Sequence, residues 1–306
     1  MTAYVLLLLG VACAAAGGEL FVRGTVGLAS WLRISPGIVA ATVAAFATSS
    51  PELSVSISAA ANGTPQIGLG DALGSNVVNV ALILGAALLI SPISSPRDTL
   101  KRDLPVAILV PIVTALFALD GLISRADGIL MLFMFVLWLG ATIVQARKQR
   151  SAIEEVLAAH RRWSVIASCI AGLAILFLAG HFIVDGARAI ARSFGVSEFV
   201  IGATVVAVGT SVPELATTLV SKLRGHDEVG LGTVLGSNIF NGLLIVAIAA
   251  IIHPIAVPFR SVSFALVLDV VALALCFPNR SGKIERSRGL MLLGLYCVYV
   301  YLVLTS

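Results

Sequence analysis

Along nearly the whole chain, long apolar runs alternate with short polar connections. Each run has about the length that an α-helix needs to cross a bilayer. Ten such segments are expected, at roughly 3–30, 37–60, 67–92, 104–119, 127–146, 163–192, 198–222, 229–252, 258–277 and 288–304. The fold class expected is an all-α polytopic membrane protein with ten transmembrane helices. Composition agrees: 58% of the 306 residues are apolar and only 12% charged, where a soluble domain carries about 25% charged residues. No basic stretch precedes the first run, which begins at Ala3. It is expected to be a spanning helix and not a cleaved signal peptide.

The basic residues fix an expected orientation. With ten spans, alternate connections lie on the same face. One set holds sixteen of the 20 Lys and Arg residues, among them Arg97, Lys101, Arg147, Lys148, Arg150, Lys222 and Arg286; the other holds Arg125, Arg188, Arg192 and Arg260. The rich set is expected to be cytoplasmic, with both termini outside. The longest polar connection runs from Ala146 to Arg162 and divides the chain. Residues 1–146 then form a first five-helix unit, 147–162 a cytoplasmic linker and 163–306 a second unit. Five is an odd number, so the second unit enters the membrane from the opposite face. Such inverted repeats are the architecture that many secondary transporters use.

Two stretches carry the repeat. ATVAAFATSSPEL, Ala41 to Leu53, returns as ATVVAVGTSVPEL, Ala203 to Leu215, and LGSNVVN ending at Asn79 returns as LGSNIFN ending at Asn241. Both pairs keep one ungapped offset. Weaker matches extend it: Gly18, Val22 and Gly24 with Gly180, Val184 and Gly186. Each half thus sets a glutamate, Glu52 or Glu214, deep inside an apolar segment, which is costly and marks a functional site by default.

Thr48, Ser49 and Glu52 are spaced to share one helical face, as are Thr210, Ser211 and Glu214. Pro51 and Pro213 remove an N–H and disturb the turn before them, so each helix is expected to kink and free backbone carbonyls. Ser75 with Asn79, and Ser237 with Asn241, add hydroxyl and amide oxygens at i, i+4. All these are hard oxygen donors, suited to Ca²⁺, Mg²⁺ or Na⁺ and not to zinc or copper. Taken singly, an intramembrane Ser or Thr is more often a packing hydrogen bonder, and a Pro-Glu pair can be a simple kink. The joint recurrence of Thr, Ser, Pro, Glu, Gly, Ser and Asn in one register favours an ion site.

The remaining polar residues read more plainly. Cys13, Cys169, Cys276 and Cys297 have no metal-ligand spacing and are expected to pack in apolar segments. The net charge of +4 is explained by helix-end basic residues and implies no nucleic-acid partner. Glu19 and His181 occupy matching positions and are expected to line the ion path or to join helices. Asp269 has no acidic counterpart and is expected to be hydrogen-bonded; Asp71 is placed to attract cations.

At GTSVPEL followed by LGSNIFN, and at ATSSPEL followed by LGSNVVN, the chain resembles the sodium/calcium exchanger branch of the cation/Ca²⁺ antiporter superfamily, in its small prokaryotic form. The resemblance covers essentially the whole chain. It implies a central cation cluster of Glu52, Glu214, Thr48, Ser49, Thr210, Ser211, Ser75, Ser237, Asn79 and Asn241, with the backbone carbonyls of Ala45 and Ala207. It also implies that the long first and sixth spans slide. Two positions depart: Ala47, where the family often has glycine, and Asn241, where it often has aspartate.

The function expected is Na⁺/Ca²⁺ antiport across the cell membrane by alternating access, with a monomer as the functional unit, the bilayer and the two ions as partners, and no cofactor. The alternatives are Ca²⁺/H⁺ or K⁺-dependent antiport and, from another class, a passive cation channel. No catalytic triad, His-rich metal motif or nucleotide loop points to an enzyme. The topology has a direct test. In a cysteine-free background, single cysteines near Arg150 and Arg286 are expected to react with an impermeant thiol reagent only from the cytoplasm, and one near Gly63 only from outside. Reaction of all three from one face refutes the inverted arrangement.

Overall fold

The structure is a computed structural model that describes residues 2–152, 162–193, 207–257 and 259–305. Their regular structure is helical apart from four strands of two residues each, with turns and short irregular connections between. The helices are α1 (Thr2–Leu32), α2 (Pro36–Thr48), α3 (Ser50–Ala61), α4 (Pro65–Ile90), α5 (Arg97–Phe117), α6 (Arg125–Ala152), α7 (Arg162–Ser193), α8 (Ala207–Thr210), α9 (Val212–Leu223), α10 (Asp227–Ile252), α11 (Phe259–Leu275) and α12 (Arg286–Thr305). Much of the linker expected at 147–162, and the start of the second glutamate stretch, lie outside the described residues.

Among the described residues six helices are long and apolar enough to cross a membrane, or seven if bent α2–α3 is one span. The protein is therefore a polytopic helical membrane protein. The expected count of ten is not reached on length and composition among the described residues. α5 starts seven residues before the expected span and takes in the charged run at 97–103. α11 is only 17 residues long. The α8–α9 segment is described only from Ala207. The other departure from an all-α chain is small. β1 (Ile93–Ser94) pairs antiparallel with β4 (Lys283–Ile284), and β2 (Leu122–Ile123) pairs with β3 (Ile255–Ala256). These short ladders satisfy backbone groups where the chain leaves one helix for the next.

Local sequence explains the helix ends. Ser35 accepts the Ile38 N–H and Pro36 opens α2, a capped start with proline where no N–H is needed. Gly63 (φ 76°) and Gly225 (φ 75°) take the left-handed conformation just beyond α3 and α9. α2 and α3 meet at Ser49 (φ −85°, ψ 8°) with a 46° bend, and α9 starts after Ser211 with nearly the same angles (φ −88°, ψ 11°). π-helical turns interrupt α2 at Ala40–Ala44, α4 at Val78–Leu84 and α10 at Phe240–Ile245. Such turns leave backbone partners mismatched and recur at functional sites.

α4 and α10 form the centre: 78% of each apolar window is buried, against 22–28% for α1, α6 and α7. Around them pack α5, α6, α11 and α12, whose outer faces carry exposed Leu, Ile, Val and Phe for lipid. α1 and α7 lie antiparallel along each other as a separate pair. Their seam is lined by small residues, as in membrane helix pairs generally. A side chain at Gly24 would sit 2.7 Å from the Cys169 backbone nitrogen, and one at Gly17 3.0 Å from that of Leu176.

α10 approaches α2 just as closely. A methyl at Gly236 would stand 2.7 Å from both Ala41 Cα and Ala45 Cβ. Gly236→Ala is therefore expected to cost about 1–3 kcal/mol by overpacking. Gly140→Ala, on the exposed side of α6 with nothing in reach, is expected to be neutral or slightly stabilising. Thermal unfolding of the two purified variants checks this.

Candidate functional site

The helix break at Ser49 brings the end of α2 and the start of α3 against α9 and α10. Glu52 opens α3 and Glu214 opens α9, each in the first turn, where helix N–H groups and dipole favour a carboxylate. Both are almost wholly buried, at 1% and 0% exposure. They are close enough to act on each other electrostatically, and Asp71 acts on Glu52 as well. Glu214 Oε1 accepts from Ser49 Oγ at 3.3 Å and from Ser237 Oγ at 3.4 Å. One carboxylate thus gathers hydroxyls from both halves of the chain.

The unpaired oxygens define the site. Glu52 Oε2, Glu214 Oε2, Ser75 Oγ, Ser211 Oγ, Asn79 Oδ1 and Asn241 Oδ1 are all buried without a hydrogen-bond partner. A buried polar atom without a partner costs about 1–3 kcal/mol; of the twelve such side-chain atoms among the described residues, these six are the ones that belong to the two repeated motifs. Among the described residues no group of three His, Cys, Asp or Glu side chains could hold a metal ion. Neutral oxygens must therefore complete any cation shell built on these two carboxylates.

Most of the expected residues converge here, with differences of detail. The Thr48 hydroxyl turns back to the Ala45 carbonyl at 3.3 Å, and the Ser49 N–H takes the same carbonyl at 2.9 Å. The Ala45 carbonyl, a ligand that the family resemblance implies, thus already accepts two hydrogen bonds. The carbonyl of Ala47, one turn before Pro51, instead accepts the Ser50 hydroxyl at 2.7 Å. Thr210 is half-buried and ends α8, which Ala207 begins. A cavity of about 400 Å³ reaches the helix breaks from one side, bounded by Pro51, Thr210 and Pro213 and by Gly180, His181 and Val184 of α7. Near the opposite end of the α1–α7 pair, Glu19 pairs with Arg23 at 2.6 Å and with Arg224, just past α9, at 2.7 Å. Glu19 therefore joins helices; His181 sits on the cavity wall and faces Asp185 at 3.3 Å.

Sequence reasoning passed over Asn76 and Asn238, the asparagines inside each GSN. Both are buried and bond to the opposite central helix. Their signal was available: each lies three residues before an expected ligand, on the same helical face. Asp269 was expected to be hydrogen-bonded, and its Oδ1 accepts Asn238 Nδ2 at 3.4 Å.

The family described as sodium/calcium exchanger protein matches residues 2–144 and 164–305. The chain belongs to the sodium/calcium exchanger family. It is 35% identical over 320 residues to CaxA of Alkalimonas amylolytica, covering 100% of both chains. It is 35% identical to the inner membrane protein YrbG of Escherichia coli, over 87% of this chain and 86% of that one. The solved sodium/calcium exchanger from Methanococcus jannaschii superposes with a TM-score of 0.83 at 29% identity, covering 98% of each chain.

Whether this candidate centre binds ions has a readout separate from transport. A ligand that binds only the folded state at 100 times its Kd stabilises by about 2.7 kcal/mol. Saturating Ca²⁺ is therefore expected to raise the unfolding temperature of the detergent-solubilised protein. The rise is expected to vanish in Glu214→Gln, measured by differential scanning fluorimetry.

Proposed function

We propose that the chain exchanges Na⁺ for Ca²⁺ across the cell membrane by alternating access. The observation that carries this reading is the buried pair Glu52 and Glu214, with Ser49 and Ser237 bonded to one of them and unpartnered oxygens on Ser75, Ser211, Asn79 and Asn241 of the same repeated motifs. Two carboxylates balance one divalent cation. The hydroxyl and amide oxygens supply the neutral ligands that Na⁺ also needs. Ca²⁺ and Na⁺ then compete for one centre formed by Glu52, Glu214, Thr48, Ser49, Thr210, Ser211, Ser75, Ser237, Asn79 and Asn241, with carbonyls at Ala45 and Ala207. The exchanger names of its relatives support the choice of ions; among them is a sodium/calcium exchanger of Methanosarcina acetivorans, 26% identical over 97% of each chain.

The architecture we infer is two five-helix repeats of opposite orientation, residues 1–146 and 163–306, joined by a cytoplasmic linker at 147–162, with ten spans and both termini outside. The support is geometric. The Asn76–Asn238 contact joins residues 162 apart. At that same offset Ser49 corresponds to Ser211, Gly63 to Gly225 and β1 to β3, and β2 falls within one residue of β4. Exchanging the halves turns the β1–β4 pair into the β3–β2 pair, as a two-fold axis requires. The α1–α7 pair, packed on itself and touching the core mainly at α9, is the element suited to slide. An empty centre leaves two carboxylates uncompensated, each costing about 2.5–3.5 kcal/mol at mid-bilayer. A loaded centre is neutral. Coupling follows when only the neutralised centre crosses.

Ca²⁺/H⁺ antiport remains the competing chemistry, with protons on the same glutamates in the return step. Glu52→Gln and Glu214→Gln are each expected to reduce Ca²⁺ flux to background in a folded protein. Radioactive Ca²⁺ uptake into proteoliposomes checks this and separates the two couplings. Uptake driven by a Na⁺ gradient and insensitive to a proton ionophore supports Na⁺ exchange. Uptake driven only by a pH gradient replaces it with proton exchange, and near-normal flux in either variant sinks the site.

A further inference from the structure

Four asparagines meet where α4 crosses α10, and their amide orientations are not free. Asn76 Nδ2 donates to the Asn238 backbone carbonyl at 3.2 Å, and Asn238 Nδ2 donates to the Asn76 carbonyl at 3.2 Å. A carbonyl oxygen can only accept, so the NH₂ end of each side chain is pinned at the opposite helix. The oxygen end of each then points the other way, and each receives a ligand amide. Asn76 Oδ1 accepts from Asn241 Nδ2 at 3.1 Å, and Asn238 Oδ1 accepts from Asn79 Nδ2 at 3.2 Å. With their nitrogens held, Asn241 and Asn79 keep Oδ1 buried and unpaired.

We propose that Asn76 and Asn238 are the positioning residues of the ion centre: they hold Asn241 and Asn79 with the amide oxygen, and not the nitrogen, turned to the cation. This rests on the reading of Asn79 and Asn241 as ion ligands. An amide turned by half a rotation presents two N–H donors to a cation, which repel it. The backbone carbonyls exclude that rotation through one intermediary on each side. Both intermediaries are almost fully buried, at 1% and 0% exposure.

The same geometry accounts for asparagine at 241. A carboxylate there faces Asn76 Oδ1 with a second acceptor in place of a donor. Asn76 can relieve that contact only by turning its own amide, which gives up the bond to the Asn238 carbonyl. The pinned amides therefore select a neutral side chain at 241. The two sides are not equal, because Asn238 Nδ2 also reaches Asp269 Oδ1 at 3.4 Å. The residue corresponding to Asp269 in the first half is Ala107, which has no side-chain acceptor. Asn238 is the more firmly held of the two.

The test is a double-mutant cycle on the purified full-length protein, read as equilibrium binding of radioactive Ca²⁺ per folded molecule, with unfolding temperature recorded alongside. Asn76→Ala is expected to weaken Ca²⁺ binding about 10- to 100-fold, the range typical when the partner orienting a metal ligand is removed. In the Asn241→Ala background the same change is expected to weaken it by less than about 3-fold, since nothing is left to orient. Equal weakening in both backgrounds, or unchanged affinity in folded Asn76→Ala, overturns the proposal. Should Asn76→Ala not fold, the mirror cycle of Asn238→Ala with Asn79→Ala asks the same question. Unchanged binding in Asn241→Ala alongside lost binding in Glu214→Gln removes position 241 from the centre and the proposal with it. Unchanged binding in both removes the centre itself.

Discussion

The two central helices are tied by side-chain amides that donate into each other's backbone, Asn76 to the Asn238 carbonyl and Asn238 to the Asn76 carbonyl. Both carbonyls lie in the last α-helical turns before the π segments at Val78 and Phe240. The crossed bonds hold α4 against α10 at the depth where no water competes. They also set which end of each ligand amide faces the centre. The cation shell proposed here depends on that one reciprocal contact, because a hard cation accepts oxygen and rejects an N–H donor.

The surrounding packing makes the contact possible. α10 can approach α2 only because position 236 carries no side chain. Phe240, next to Asn241, is enclosed by Phe46, Phe135 and Trp138, with ring centroids 5.0–6.0 Å away. The Trp138 N–H in turn donates to Asp103, which Arg102 grips with two bonds of 2.7 Å. A buried charge network and an aromatic cage thus stand behind one wall of the centre. On the opposite side the α1–α7 pair touches this core more lightly. The sliding of α1–α7 proposed above would take place along this lighter contact.

Electrostatics ties the centre to its cargo. Glu52 and Glu214 lie inside the protein with no Lys or Arg hydrogen-bonded to either among the described residues. With asparagine at 241, Glu52 and Glu214 are the two carboxylates of the proposed ligand set, whose charge one divalent ion cancels. Asp269 places a further buried carboxylate behind Asn238, where its bond helps to hold an amide.

The recurrence of Thr, Ser, Pro, Glu, Gly, Ser and Asn at one offset is enough to mark the proposed ion centre, since polar groups are costly in an apolar segment and do not recur there in register without cause. Period and composition likewise suffice for the membrane-helical class, and Pro51 and Pro213 signal breaks that fall two residues earlier, at Ser49 and Ser211. Other features are illegible in the chain because they depend on what stands opposite. The Ala47 carbonyl looks free from Pro51 alone, yet it accepts the Ser50 hydroxyl. The charged start of α5 looks like a loop, since its helix is sustained by the Asp103–Trp138 contact from α6 and not by local apolarity. Asn76 looks like a bystander in GSN, because its partners lie at 238 and 241 on another helix. Sequence alone determined which oxygens enter the membrane, through the free-energy cost of burying them. Only the tertiary structure decided which way each one faces, because an amide's orientation is set by the donor or acceptor across the helix seam.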